Sequence, residues 1–354
     1  MALDLMALLG SAVKRGATDL HISVGGHPAM RVGGVLEFQP QWGRLTDADV
    51  ERVLASTLAE SRMRKFKETN EHDFSFSYKS AEGEARFRGN AFREARGAAV
   101  AFRLLPARVK PIGELGLPEV LKGVCAKRSG LFLVTGPTGH GKSTTAAAMI
   151  QEINMTRRDH IITIEDPIEY VFTSEKCLVH QREVDSDTSS FAEGLRRALR
   201  QDPDVIFIGE MRDLETIGAA VTAAETGHLV LGTLHTRDAP GSIDRVVDAF
   251  PPHQQAQVRV QLASTLVGIC SQQLVPTGGE RVCVTEVLMA NSAISGCVRE
   301  GKTHQIRSLI QTGAGAGMCT MEQSLAKRVK GGELPRETAL AFAYDQKDLE
   351  RLLA

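Results

Sequence analysis

Flat side chains are scarce in this 354-residue chain, which has one Trp, three Tyr and thirteen Phe. Charge of one sign is missing as well: 42 Lys and Arg stand against 43 Asp and Glu, a formal net charge of −1. A single-strand nucleic-acid binder needs stacking platforms and a positive field, so no direct nucleic-acid contact is expected. No apolar run approaches the roughly 20 residues that cross a bilayer. The stretch from Met1 to Leu9 carries Asp4, lacks a basic leader and runs into Lys14 and Arg15, which predicts an amphipathic helix and no transmembrane segment. The six cysteines, Cys125, Cys177, Cys270, Cys283, Cys297 and Cys319, lie far apart with no C-x-x-C pair. That spacing excludes the signatures of a zinc site and a disulfide framework, and fits buried thiols in a reducing cytosol.

The strongest positive signal is Gly136, Pro137, Thr138, Gly139, His140, Gly141, Lys142, Ser143 and Thr144, between the apolar runs Leu131–Thr135 and Ala146–Ile150. It predicts a strand, a glycine-bent loop and a helix. In such a loop successive backbone N–H groups aim at phosphates, Lys142 reaches the β- and γ-phosphates, and the Ser143 hydroxyl serves Mg²⁺. The pattern is a P-loop, and it calls for ATP and Mg²⁺.

A chain this long holds two or three domains. Residues 1–105 carry no phosphate signature. Asp19–Val24, Ala29–Val32, Asp73–Tyr78, Ala85–Phe92 and Ala98–Leu105 alternate like strands, Gly25, Gly26, Gly33 and Gly34 supply turns, and Thr46 starts a capped helix. These predict a small α/β domain in which Phe87 faces one side of a strand while Arg86 and Arg88 face the other. Three prolines and two glycines in 106–118 predict a flexible linker. Beyond it, His160–Ile164, Val205–Gly209 and Leu229–Leu234 alternate with the helical stretches Phe191–Gln201 and Leu214–Glu225, which argues for a parallel sheet covered on both faces in 119–290. From Asn291 to the end the pattern is helical, with Gly313–Gly317 as a flexible break.

Ligands of such sheets gather at the carboxyl ends of the strands. Glu165, Asp166, Glu169, Glu210 and His235 all follow strand ends. Glu210 stands where a Walker B acid would hold Mg²⁺ directly or through water, and Glu169 is the candidate general base that orients the attacking water. Asp204 begins its strand and is excluded. His235 is placed to sense the γ-phosphate; His228, at the other end of its strand, is a weaker candidate for the same work.

Together GPTGHGKSTT, ITIEDPIEYVF, DPDVIFIGEMRDLET and TAAETGHLVLGTLHT resemble the Walker A, Asp, Walker B and His boxes of the type II/type IV secretion ATPases, most closely the PilT-like retraction ATPases of type IV pili. The likeness extends over nearly the whole chain. It implies a PAS-like N-terminal domain, a RecA-like ATPase core and a cytoplasmic homohexamer with ATP between subunits. It further implies docking on an inner-membrane pilus platform protein and a role in retraction and twitching. On that analogy Arg88 and Arg103 reach the nucleotide across a domain or subunit boundary, where a planar guanidinium suits phosphate. An extra N-terminal domain and a four-cysteine zinc insertion, features of assembly-type relatives, are absent. Ala293–Glu300 matches the retraction signature AIRNLIRE only in part, so the main motor and an accessory paralogue both stay open, and a paralogous ATPase is a possible partner. His140 replaces a frequent Ser. The alternatives are an assembly or secretion ATPase of the same superfamily and a RecA-like DNA motor.

Overall fold

The computed structural model describes residues 3–80, 83–105, 108–279 and 281–354. Met1 and Ala2 of the expected first helix, and Pro106 and Ala107 of the expected linker, lie outside the described residues. The chain forms two compact units, Met1–Arg108 with Pro167–Tyr170, and Val109–Asp166 with Val171–Ala354.

In the first unit α1 (Leu5–Lys14) leads into the strands β1 (Asp19–Ser23), β2 (Ala29–Val32) and β3 (Val35–Phe38). The helices α2 (Asp47–Thr57) and α3 (Glu60–Thr69) follow, then β4 (Glu71–Ser80), β5 (Gly83–Glu94) and β6 (Gly97–Leu105). The strands make one antiparallel sheet in the order β3-β2-β1-β6-β5-β4. Gly33 and Gly34, both at positive φ, turn β2 into β3. A capping box between Thr46 and Asp49 opens α2. The core gathers Phe74, Phe76, Phe87 and Phe102 with ring centroids 5.2–6.4 Å apart, within the range where tilted aromatic pairs attract. Gly89 is small for a reason, since a Cβ there would stand 2.4 Å from the Phe74 ring. Phe87 is buried while Arg86 and Arg88 occupy the other face, as alternation requires.

The second unit begins with α4 (Val120–Cys125), β7 (Gly130–Thr135), α5 (Lys142–Thr156), β8 (His160–Glu165) and β9 (Leu178–Glu183). It continues through α6 (Phe191–Ala198), β10 (Val205–Ile208), α7 (Leu214–Glu225), β11 (Leu229–Leu234), α8 (Ala239–Asp248) and α9 (Pro252–Thr265). A hairpin of β12 (Leu266–Pro276) and β13 (Arg281–Met289) precedes five helices: α10 (Ser292–Glu300), α11 (Ile306–Thr312), α12 (Met321–Lys330), α13 (Arg336–Phe342) and α14 (Gln346–Leu353). The sheet order is β13-β12-β7-β11-β10-β8-β9, parallel except for the antiparallel edge strand β13.

Near-continuous apolar strands are explained by the packing. Leu131, Leu133, Ile162, Ile206 and Val230 enter one core, whereas Phe132, Val134, Ile161, Phe207 and Leu231 enter another on the opposite face. Successive residues of one strand therefore serve two layers. A third cluster joins Val275 and Val284 of the hairpin to Met321, Leu325 and Leu349 of the terminal helices.

Three expectations need correction. The segment from residue 109 to 118 is not a loose linker: Ile112 and Leu117 are buried with Leu121 and Phe132, and Arg328 Nη2 donates to Gly116 O at 2.8 Å. Burying those apolar residues outweighs the freedom that proline and glycine count had implied. Pro167–Tyr170 was assigned to the ATPase core but packs with the first unit, where Arg86 Nε donates to Ile168 O at 3.0 Å. Finally, the glycine-rich break folds into a 3-10 turn, Ala314–Ala316, closed by Met318 N donating to Gly313 O. Among the described residues no helix is long and apolar enough to cross a membrane.

Candidate active site

Parallel strands stand roughly 4.8 Å apart, so the loops that leave their carboxyl ends converge. Following the order β7-β11-β10-β8, the neighbouring loops bring the P-loop, His235, Glu210 and Glu165 into one row.

The P-loop is shaped by glycine. Gly136, Gly139 and Gly141 all have positive φ, and a Cβ on Gly136 would meet Gln272 O at 2.3 Å. Gly141 caps α5, so Lys142, Ser143 and Thr144 lie in the first turn, where the direction of the backbone N–H groups and the helix dipole favour phosphate. Lys142 is buried, and its Nζ donates to Gly136 O and Pro137 O at 2.9 Å each. These bonds hold the ammonium across the mouth of the loop, beside the position that a β/γ-phosphate takes in such loops.

His235 links the loop to the next strand. Its Nδ1 lies 3.1 Å from Thr138 Oγ1 and 3.5 Å from Lys142 Nζ, while Nε2 is 2.8 Å from Glu210 Oε1. Only one tautomer suits all three contacts: Nε2 carries the proton toward the carboxylate, and Nδ1 accepts. A second proton would point at the Lys142 ammonium. Burial first, and then the Lys142 charge, accordingly hold the His235 pKa below its usual value, against the opposing pull of Glu210. Arg212 Nε also donates to Glu210 Oε1, so this carboxylate is gripped from two sides. Glu165, buried at the end of β8, accepts from Thr163 Oγ1 at 2.6 Å and Gln181 Nε2 at 3.1 Å.

His140 has a separate task. Its Nδ1 accepts from Leu274 N at 3.0 Å and its carbonyl accepts from Gln272 Nε2 at 2.6 Å, which ties the P-loop to β12. Burial, followed by the charges of Lys142 and Arg281, lowers the His140 pKa.

Of the residues expected at the site, the second unit brings together Gly136 through Thr144, Glu210 and His235. His228 does not join them. It precedes β11, with Nδ1 2.9 Å from Ala223 O, a full strand length of about 20 Å from His235. Asp204 likewise lies at the amino edge, where its Oδ2 accepts from His160 N. Glu169, Arg88 and Arg103 belong to the first unit; Arg88 pairs with Asp73 at 3.9 Å and Arg103 with Asp19 at 2.9 Å. Arg212 and Gln272 are additions that the sequence hinted at only weakly, the first by standing two residues after Glu210.

Phosphate-seeking backbone, a lysine loosely held by carbonyls and a carboxylate-backed histidine on one parallel sheet define a P-loop nucleoside triphosphatase with an appended α/β domain. Residues 2–304 match the model of the Type II/IV secretion system protein family, and the chain belongs to that family. It is an ATP-hydrolysing member of it. Over 338 residues it is 48% identical to the type IV pilus retraction ATPase PilT of Pseudomonas aeruginosa, covering 95% of this chain and 97% of that one. The type IV pilus ATPase PilU of the same organism is 38% identical over 353 residues, covering 99% and 91%. A crystal structure of the pilus retraction motor PilT with bound ADP superposes with a TM-score of 0.91 at 48% identity, covering 99% of each chain. The ATPase DotB of Legionella pneumophila follows at 0.77 and 26%, covering 94% of this chain and 93% of that one.

Proposed function

We propose that this protein is the ATPase motor of type IV pilus retraction, working as a cytoplasmic homohexamer docked at the inner membrane on a pilus platform protein. The near full-length likeness to a retraction motor carries this reading. ATP lies along the P-loop with its phosphates on the N–H groups of Gly139 through Thr144. Lys142 exchanges its carbonyl partners for phosphate oxygens as charge develops. His235, already fixed by Glu210, donates or accepts at the γ-phosphate and so reports its presence.

A hard divalent cation suits the donors in reach, the Ser143 hydroxyl and the carboxylates of Glu210 and Glu165, which are all oxygen. Among the described residues no cluster of three or more His, Cys, Asp or Glu forms a cage, so Mg²⁺ is held jointly with the substrate's phosphates. When bound it neutralises phosphate charge. Glu169 orients the attacking water as general base, and Arg88 and Arg103 bring guanidinium groups to the phosphates from the first unit of the same or a neighbouring subunit. His228, at the amino edge of β11, is the weaker candidate for phosphate sensing. A paralogous ATPase of the PilU kind is a fitting co-worker.

Deleting the gene tests the reading. Excess pili on immobile cells, restored by the wild type but not by Lys142→Ala, is the expected result. Bald cells would move the protein to the assembly branch, and ATPase activity stimulated by single-stranded DNA would move it to a DNA motor.

A further inference from the structure

The loop that carries His235 is four residues long, from His235 to Asp238, and almost every one has an anchor. Thr236 Oγ1 lies 2.6 Å from Ser242 Oγ, which donates to Asp238 O at 2.6 Å and stands 3.4 Å from the hydroxyl of Thr135, the residue just ahead of Gly136. Asp238 caps α8, and Ala239 N donates to Glu286 Oε1 at 2.8 Å. Glu286 is buried on β13, and burial first of all pushes its pKa up to about 7.

Arg237 is anchored differently, by Tyr344 in the connector between α13 and α14. Its guanidinium carbon stands 4.1 Å over the Tyr344 ring, and the Tyr344 hydroxyl donates to the Arg237 carbonyl at 2.5 Å. Side chain and backbone of one residue are thus held by one tyrosine. Tyr344 is itself fixed: its N–H and that of Asp345 both donate to Glu322 Oε1 at 2.9 Å. Glu322 is fully buried on α12, with its other oxygen 3.1 Å from Arg307 Nη2. Oε2 makes that ion pair but no hydrogen bond, so the post stands on the two backbone bonds to Oε1 and on the charge of Arg307. Burial also pushes the Tyr344 hydroxyl up to about 12, so it stays a proton donor at every working pH.

Only Thr236 stands between His235 and Arg237, a reach of at most about 7 Å. We propose that Tyr344 is a positioning residue for His235, the terminal helical layer setting the place of the imidazole through its grip on Arg237. The inference rests on the reading that His235 meets the γ-phosphate. It gives the last helices, which lie beyond the family-matched segment, a part in hydrolysis.

Steady-state ATPase and ADP titration on the full-length assembled enzyme test it. Tyr344→Leu is expected to lower kcat about fivefold to tenfold, the scale of one cation–π contact plus one hydrogen bond, and Arg237→Ala, which keeps the carbonyl that accepts from Tyr344, about twofold to fivefold. Affinity for ADP, which has no γ-phosphate, stays within about twofold. Tyr344→Phe keeps the ring, loses the hydroxyl bond and falls between Tyr344→Leu and wild type. In a His235→Ala background the Arg237 and Tyr344 substitutions cost nothing further, because their effect passes through the missing imidazole. Losses that multiply in the double variants, or unaffected single variants beside an impaired His235→Ala, would overturn this inference alone. A fully active His235→Ala would overturn the phosphate-sensing reading and take this inference with it. Arg237 is exposed, so its variant keeps the test open even if Tyr344→Leu unfolds.

Discussion

Replacing His140 by alanine removes the acceptor of the Leu274 N–H and leaves the carbonyl bond to Gln272 in place. A neutral hydrogen bond is worth about 1 kcal/mol net, and the half-buried amide of Leu274 would then lack its partner. For a unit of this size, a loss of about 1 kcal/mol lowers the melting temperature by roughly 2–4 °C. The effect should depend on pH. The folded-state pKa of His140 is lowered, so its stabilising bond is fully present above the ordinary value of 6.5 and is lost as pH falls through the lower folded-state value. Below that, the wild type carries N–H against N–H and has forfeited the same bond that the variant lacks. Calorimetry of the transition that ADP stabilises should therefore show the full gap at about pH 8 and a smaller one at the lowest pH at which the fold survives. A gap of the same size at both pH values, or none at the higher one, would refute the structural role of this histidine.

Other substitutions read different parts of the site. Gly136→Ala drives a Cβ to 2.3 Å from Gln272 O at a φ of +140°; it should cost roughly 3 kcal/mol or more and abolish ADP binding, both visible in a thermal shift titration. Lys142→Ala should keep its circular dichroism spectrum while kcat falls at least about a hundredfold. Glu169→Gln should bind ATP normally and hydrolyse it roughly a hundredfold more slowly; unchanged turnover removes it from the role of base. Arg88→Ala loses only a long, exposed ion pair, so its melting temperature should barely move, yet ATPase activity of the assembled ring should fall about tenfold or more. Full activity would return Arg88 to a plain solvated face.

Much of this was legible because the residues concerned obey short-range rules. The P-loop glycines, the strand-end acids and the alternation of Phe87 with its arginines each follow from spacing alone. Elements written in polar residues were harder. β9 reads Leu-Val-His-Gln-Arg-Glu and looks like a loop, because an edge strand can leave Leu178 exposed and turn Gln181 to Glu165. β12 hides its signal in Ser271, Gln272 and Gln273, whose buried positions make sense only once Gln272 is seen to hold His140 and Ser271 to meet Thr135. The segment ahead of α4 misled in the opposite way. Its prolines announced flexibility, while Ile112 and Leu117 found a core that no local pattern reveals.

Phe132 and Leu133 are chain neighbours that never share a core. A strand built this way is a party wall. Shrinking Leu133 invites α7 and its neighbours to settle inward, and the settling tilts the same backbone that Phe132 presents to α5. The tilt is felt at the strand's end, where the phosphate loop begins. Tolerated drift in such a sheet should therefore come in pairs placed back to back across the wall, one residue apart in sequence, rather than among side chains that touch.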